Sequence, residues 1–566
     1  MRLSTRHAGE TWLLAGIALY LLAFTLWPLG RLLAEAMGPG KSGAPLGFLF
    51  EQWQGRSVSR AFFNTLESSL LATLVSTVFG TLMALVVTLT DVRWKSAIVF
   101  VLMLPLLIPP QITALAWLQL VGPSSPLLAP LGLASEYGRT NPLYSLGGIV
   151  LVMGIEHSTL VFLAVRAGLV GLPRDLVEAA RISGAKPLRS VVFVVLPLAL
   201  PAVLAGASLA FVSSIGNFGV PALLGIPGRY TVLTTLIYQR LNGFGPSVLG
   251  EVGAIAVILL LLAVVGLGLR AVLAARMNAV TERSGATLQP FALDRWRPAT
   301  EGAVWTLLGL AALLPLAALF AASVTPAVGV PLGFDTVTLA NFRFAVLENE
   351  ATRRAFVNSF VLAGTAACVC ALLSVPLAYL SVLRRLPLAR TLELVADTPY
   401  AIPGIVLALG IIMVFLPPLP LLNVSIYGTI WIILVAYLAR FLTLALRPVV
   451  AGLETLEPAL DEAARVVGAR TGRRLVSIVL PLAAPHAAAG ALLIFMTAFN
   501  ELTVSALLWS TGSETLGVAV FFLQYEGNSP AASALAVASV AVTLALAGLV
   551  SLFGRGLPAG VVPWAA

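Results

Sequence analysis

Twelve stretches of this chain are each apolar for about 20 residues or more, and few folds can accept that pattern. They lie near 11–33, 61–90, 96–121, 145–169, 198–224 and 252–275, then near 303–324, 355–382, 390–416, 426–449, 483–509 and 531–553. Hydrocarbon offers a backbone no water, so each stretch must satisfy its own N–H and C=O groups, and each is expected to be a helix. The composition agrees: 59% of residues are hydrophobic, 10% are charged, and the mean hydropathy is +0.98. No soluble chain of 566 residues hides that much apolar surface. The expectation is an all-α polytopic membrane protein of about twelve transmembrane helices. The first stretch, preceded by Arg2 and Arg6, is too long for a signal-peptide core and reads as a retained span.

Charge sets the expected orientation. The 34 Lys and Arg against 25 Asp and Glu would suggest nucleic acid in a soluble protein. Here the excess follows the positive-inside rule, and no nucleic-acid partner is expected. Arg93 and Lys95, then Arg276, Arg283, Arg295 and Arg297, then Arg384, Arg385 and Arg390 fall in alternate loops. The outer loop near 417–425 carries no charge. Both termini are therefore expected in the cytoplasm.

The chain also repeats itself. Ala61-Phe62-Phe63-Asn64-Thr65 matches Ala355-Phe356-Val357-Asn358-Ser359, and Ile108-Pro109 matches Ile402-Pro403, both at an offset of 294 residues. Further on the offset is 284, and Ala222-Leu223-Leu224 matches Ala506-Leu507-Leu508. An even number of spans per repeat makes the halves parallel, with the pseudo-two-fold axis along the membrane normal. The expected domains are a six-helix half over 1–280, a linker over 281–302 and a second half over 303–566.

One polar stretch recurs between the apolar runs. The first copy begins Glu178-Ala179-Ala180-Arg181 and has Gly184; the second begins Glu462-Ala463-Ala464-Arg465 and has Gly468. Each reaches a Leu-Pro-Leu whose proline, Pro197 or Pro481, lies nineteen residues after the glutamate. The alanines favour a helix, the glutamate suits its N-terminal end, and the glycine suits a C-terminal stop. Small alanines admit a close surface, and Glu and Arg can bond to it. An interfacial helix lying on anionic lipid is the competing reading.

This pattern resembles the cytoplasmic Glu-Ala-Ala loop of ABC-importer permeases, and the resemblance covers nearly the whole chain. It implies the type I importer permease fold in the bacterial inner membrane. It implies that Glu178, Ala179, Ala180, Gly184, Glu462, Ala463, Ala464 and Gly468 couple to an ATPase. The implied partners are two copies of a cytoplasmic ATP-binding subunit, an extracytoplasmic solute-binding protein, and the lipid membrane itself. The fused form resembles ferric-iron permeases most, through Leu107 to Trp117 and through Gly216-Asn217-Phe218-Gly219. Thiamine, polyamine and phosphonate permeases share the layout.

The chain has no G-x-x-x-x-G-K-[ST] phosphate loop, so hydrolysis is expected on a partner, and no cofactor is expected. Cys368 and Cys370 are two apart on one run and point to different faces, and the three histidines are scattered, so no metal site is expected. Ionisable residues inside spans are costly and are by default suspected of function. Glu156 falls in the fourth span and matches Arg440 in the tenth; either the two pair across the axis, or Arg440 snorkels to the cytoplasmic face and Glu156 is satisfied locally. Asn217, Asn500 and Glu501 interrupt the spans that line the translocation path in the resembling family. Helix-to-helix hydrogen bonding explains them as well. A secondary transporter coupled to protons or sodium remains the rival, with Glu156-His157 as a relay. It leaves the paired Glu-Ala-Ala segments unexplained.

Overall fold

The computed structural model describes residues 8–40, 43–134, 138–172, 174–277, 291–418, 423–457 and 459–553. Among these residues the fold is helical, with one isolated backbone bridge between Thr90 and Phe291. Ten helices are long and apolar enough to cross a membrane, and two sharply bent pairs bring the number to 12.

The first half runs α1 (Gly9–Ala36), α2 (Arg56–Leu89), the bent pair α3 (Lys95–Leu107) and α4 (Pro110–Val121), and α5 (Leu146–Val170). The short α6 (Arg174–Ile182) leads into α7 (Pro187–Gly216), and α8 (Leu233–Phe244) leads into α9 (Leu249–Met277). The second half repeats the order. It has α10 (Asp294–Ser323), α11 (Glu350–Leu383), the bent pair α12 (Pro387–Ala401) and α13 (Gly404–Phe415), and α14 (Ile430–Glu454). After these come α15 (Ala459–Val466), α16 (Thr471–Phe499), α17 (Leu516–Tyr525) and α18 (Ser529–Phe553).

Two expectations need correction. The stretches 96–121 and 390–416 are not single helices; their halves meet at 106° and 107°. The cause is Ile108-Pro109-Pro110 and Ile402-Pro403-Gly404. A proline pushes the residue before it out of helical geometry, and Ile108 and Ile402 are both extended. The stretches 198–224 and 483–509 also stop early as helices, at Gly216 and Phe499, and their remainders fold back as short turns. Of the expected linker, 281–290 lies outside the described residues. Its end is already helical, because α10 begins at Asp294 with Pro298 in its first turn.

Small residues set how closely the helices approach, as expected in lipid. A Cβ on Gly206 would lie 2.9 Å from Cα of Val161, and one on Gly490 would lie 2.5 Å from Cα of Ala445. Both residues of that contact obey the 284-residue offset, so one tight crossing of α7 on α5 recurs as α16 on α14. Outward, Leu70, Leu74, Val78 and Leu82 form an exposed stripe four residues apart along α2, facing where lipid would lie.

The halves are interlocked through their first helices. Tyr20 of α1 donates to the Leu438 carbonyl of α14 at 2.7 Å, and Gly410 of α13 sits against the Pro28 backbone. Reciprocally, α10 packs on α4, and Arg297 pairs with Asp91 beyond the end of α2. Cys368 is exposed and Cys370 buried, so both thiols are free and face apart.

Candidate functional site

The two proline breaks and the ends of α7 and α16 converge where the halves meet. They enclose a cavity of about 320 Å³. Glu156, Asn217, Arg440, Asn500 and Glu501, five residues picked out from sequence, all line it. His157, named from sequence beside Glu156 under the rival reading, lines it too, as do Gln111 and Tyr400, which were not picked out. The signal for Gln111 and Tyr400 was the pair of proline breaks that they flank.

Each half builds its wall by the same device. Asn217 follows the end of α7, and its Oδ1 accepts from the Val220 N–H at 3.1 Å. Glu501, its partner in the repeat, accepts from the Val504 N–H at 2.7 Å. Each side chain caps the turn that continues its interrupted span, satisfying N–H groups that the break had orphaned. Glu501 also accepts from the backbone N–H and hydroxyl of Ser505, at 3.0 and 2.9 Å. The Ser505 hydroxyl in turn meets Tyr437 at 2.9 Å. Across the axis, Gln111 donates to the Asn500 carbonyl at 2.7 Å, which stitches the first break to the second half.

Glu156 and Arg440 share the cavity but make no direct ion pair. Asn217 donates to the Glu156 carboxylate at 3.3 Å, and His157 Nε2 lies 3.6 Å from it. His157 Nδ1 is 2.9 Å from the Ser214 hydroxyl. Among the described residues Arg440 Nη1 reaches only the Ile402 carbonyl, at 3.4 Å. Glu156 thus has local partners, while Arg440 lines the same cavity without meeting it. Among the described residues no three His, Cys, Asp or Glu side chains are arranged to hold a metal ion.

Next to Asn217, which lines the cavity, rings from both halves pack into an aromatic roof. Phe218 lies 5.1 Å from Tyr238 and 6.2 Å from Phe521, and Tyr238 lies 6.0 Å from Phe521. Tyr238 rides on α8 and Phe521 on α17, Phe218 follows the end of α7, and the matched Asn-Thr and Asn-Ser motifs hold α8 and α17. Thr65 Oγ1 accepts from the N–H of Leu233, and Ser359 Oγ from that of Leu516. Asn64 donates to the Thr231 carbonyl and Asn358 to that of Glu514. The repeat Ala-Phe-x-Asn-Thr/Ser is thus a latch beside the roof, a role not read from sequence.

The Glu-Ala-Ala segments form α6 and α15. Both end in a left-handed glycine, Gly184 at φ +81° and Gly468 at φ +84°. Beyond it the N–H of Ala185 bonds to the Ala180 carbonyl and that of Ala469 to the Ala464 carbonyl, each at 3.0 Å. This is the glycine stop expected from sequence. Leu176 and Ile182 on α6, and Leu460 and Val466 on α15, are exposed at matched positions; Ile182 is 88% and Val466 86% exposed. Glu178 is half-buried and Glu462 exposed.

Parallel six-span repeats, a cavity on their axis and two matched loops define a membrane permease. The chain belongs to the family of binding-protein-dependent transport system inner membrane components, whose model matches residues 43–279 and again 371–557. It is 28% identical over 553 residues to a probable ABC transporter permease protein of Sinorhizobium fredii, covering 97% of this chain and 96% of that one. It is 24% identical to the ferric transport system permease protein FbpB of Actinobacillus pleuropneumoniae, covering 94% of this chain and 76% of that one. A probable molybdenum ABC transporter permease protein of Haloferax volcanii is 33% identical over 225 residues, 39% of this chain and 77% of that one. The protein is therefore a multi-pass inner-membrane permease subunit of an ABC importer, of the fused two-half type, with the type I importer permease fold.

Proposed function

We propose that the cavity is the translocation path and that α6 and α15 dock on a pair of cytoplasmic ATP-binding subunits, one copy to each loop. The observation that carries this reading is the matched exposure of Ile182 and Val466 beside Gly184 and Gly468. A large apolar side chain left bare at the same place in both repeats is suited to a partner's pocket. With the loops in the cytoplasm, both termini lie there too. The aromatic roof then faces outward, toward a solute-binding protein. ATP draws the subunits together, the loops follow, and the halves rock about the cavity. The solute is ferric iron, by likeness to the ferric transport system permease protein FbpB, which aligns along most of the chain.

The test is ATP-dependent uptake in proteoliposomes with the cognate ATPase and binding protein. Glu178→Ala combined with Glu462→Ala should lower uptake at least about tenfold and weaken co-purification of the ATPase. Unchanged uptake with unchanged co-purification would overturn the docking assignment.

A further inference from the structure

We propose that the cavity between the halves holds its solute through an oxyanion group, with Arg440 as the residue that binds it. The proposal rests on the transport reading and narrows the class of solute.

The argument starts from what Arg440 lacks. A guanidinium carries five donors and stays charged. Here a single long bond to the Ile402 carbonyl, 3.4 Å, is its protein hydrogen bond. Space is kept for it, since a Cβ on Gly404 would sit 2.6 Å from Nη1. The nearby carboxylates are committed elsewhere. Glu501 is spent on two backbone N–H groups and the Ser505 hydroxyl. Glu156 receives Asn217 and has His157 beside it. A cation inside a span, given room and left without a carboxylate, is suited to a ligand that brings the negative charge. The planar fork of arginine matches two oxygens of a carboxylate, phosphonate or similar group.

Volume and charge then sort the solutes. A cavity of about 320 Å³ takes a small molecule. Polyamines and thiamine arrive as cations and meet the guanidinium as like charges. A phosphonate fits. Ferric iron, with no three-ligand site among the described residues, fits as a complex carrying an oxyanion ligand and not as a bare trivalent ion.

The test uses the full chain in phosphatidylcholine nanodiscs, titrated calorimetrically with orthophosphate and separately with spermidine. Orthophosphate should bind the wild type. Affinity should fall about tenfold or more in Arg440→Gln, as for one charged contact, and be partly kept in Arg440→Lys. Gly404→Ala keeps the charge but fills its space, so it should weaken binding as well; a melting curve of each variant verifies folding. Spermidine should not bind. Equal orthophosphate affinity in wild type and Arg440→Gln, absence of orthophosphate binding, or tight spermidine binding would each overturn the proposal. Adding phosphatidylglycerol tests the other source of the same chemistry. Unchanged orthophosphate affinity supports a solute, whereas competition would assign Arg440 to a lipid headgroup and overturn the solute claim. The docking variants lie away from the cavity. If they still import and still hold the ATPase, the docking assignment fails; if the wild type shows no ATP-dependent uptake, the transport reading fails; in both cases the binding result stands.

Discussion

The loops around α6 and α15 share a backbone and differ in how they are fastened. Both end in a left-handed glycine closed by the same pair of hydrogen bonds. Under α15, however, lies a buried ionic cluster. Arg474 pairs with Asp461 at 2.9 Å and with Glu10 of α1 at 3.2 Å. Glu10 pairs in turn with Arg384 at 2.8 Å, and Tyr379 donates to Asp461 at 3.1 Å. Arg474 and Glu10 are 4% and 5% exposed, so water screens these charges little. The matching positions of the first half are Val177, Ser190, Thr90 and Leu85, none of them ionisable. There Val177 is simply buried. One loop is tied by charge to the other half's first helix, while the other rests on an apolar contact. A repeat can keep its geometry while its halves change what holds it.

The largest expected effect comes from breaking the cluster. Arg474→Ala leaves Asp461 and Glu10 buried without their shared cation, a loss of about 3–5 kcal/mol for a buried pair. Ser190→Ala, the matched change, should cost under about 1 kcal/mol, because its buried hydroxyl has no partner to lose. Thermal melts of both variants in detergent measure the contrast. Installing the first-half pair in the second, Asp461→Val with Arg474→Ser, should recover most of the loss, since apolar packing often replaces a buried pair without penalty. Equal melting shifts for Arg474→Ala and Ser190→Ala would erase the comparison.

The shared part of the loops is tested by their glycines. An added Cβ at Gly184 or Gly468 meets nothing within 4 Å, so alanine there probes the backbone alone. Each substitution should cost about 1–2 kcal/mol, the penalty for an L-residue in the left-handed region, and the two should agree. Agreement would leave the ionic cluster as the difference between the loops. A larger loss at Gly468 would mean that the cluster strains the turn it anchors.

How much of this was legible beforehand depended on whether the information was local. The spans, the repeat and the glycine stops were readable, because hydropathy, offset and a left-handed glycine each act within a few residues. The bends at Ile108-Pro109-Pro110 and Ile402-Pro403-Gly404 were hidden in unbroken apolar runs, although the prolines were in view. Of the five polar residues of the cavity, Glu156 and Arg440 were picked out by their cost in a span, and Asn217, Asn500 and Glu501 as interruptions of spans that line the path in the resembling family. Their meeting at one cavity needed the breaks. The Glu10–Arg474 contact joins residues 464 apart and has no repeat partner to announce it. The matched positions of Glu156 and Arg440 were readable, but whether they pair turned on side-chain positions that no spacing encodes.

The smallest expected effect concerns the latches on the side of the roof, where the halves again diverge. Tyr230 of the first half donates to Glu67 at 3.1 Å. At the second latch Glu514 pairs with Arg354 at 3.3 Å and accepts the Gly512 N–H at 3.0 Å. Burial pushes the Glu514 carboxyl up, but the Gly512 N–H and the Arg354 guanidinium outweigh it and hold the carboxyl below the usual glutamate value. A lowered folded value means that the group stabilises the fold above its unfolded value of 4.5, and that this is lost as pH falls through the folded value. Glu514→Gln should therefore cost about 1 kcal/mol at pH 7, and the gap to wild type should close below pH 4.5. Tyr230→Phe removes a phenol whose titration lies raised by burial and by Glu67, far above this window, so its cost should stay level across the same range. Melting curves of the two variants from pH 7 downward compare the latches directly. A gap for Glu514→Gln that persists in acid would show that its carboxylate charge is not what fastens the second latch.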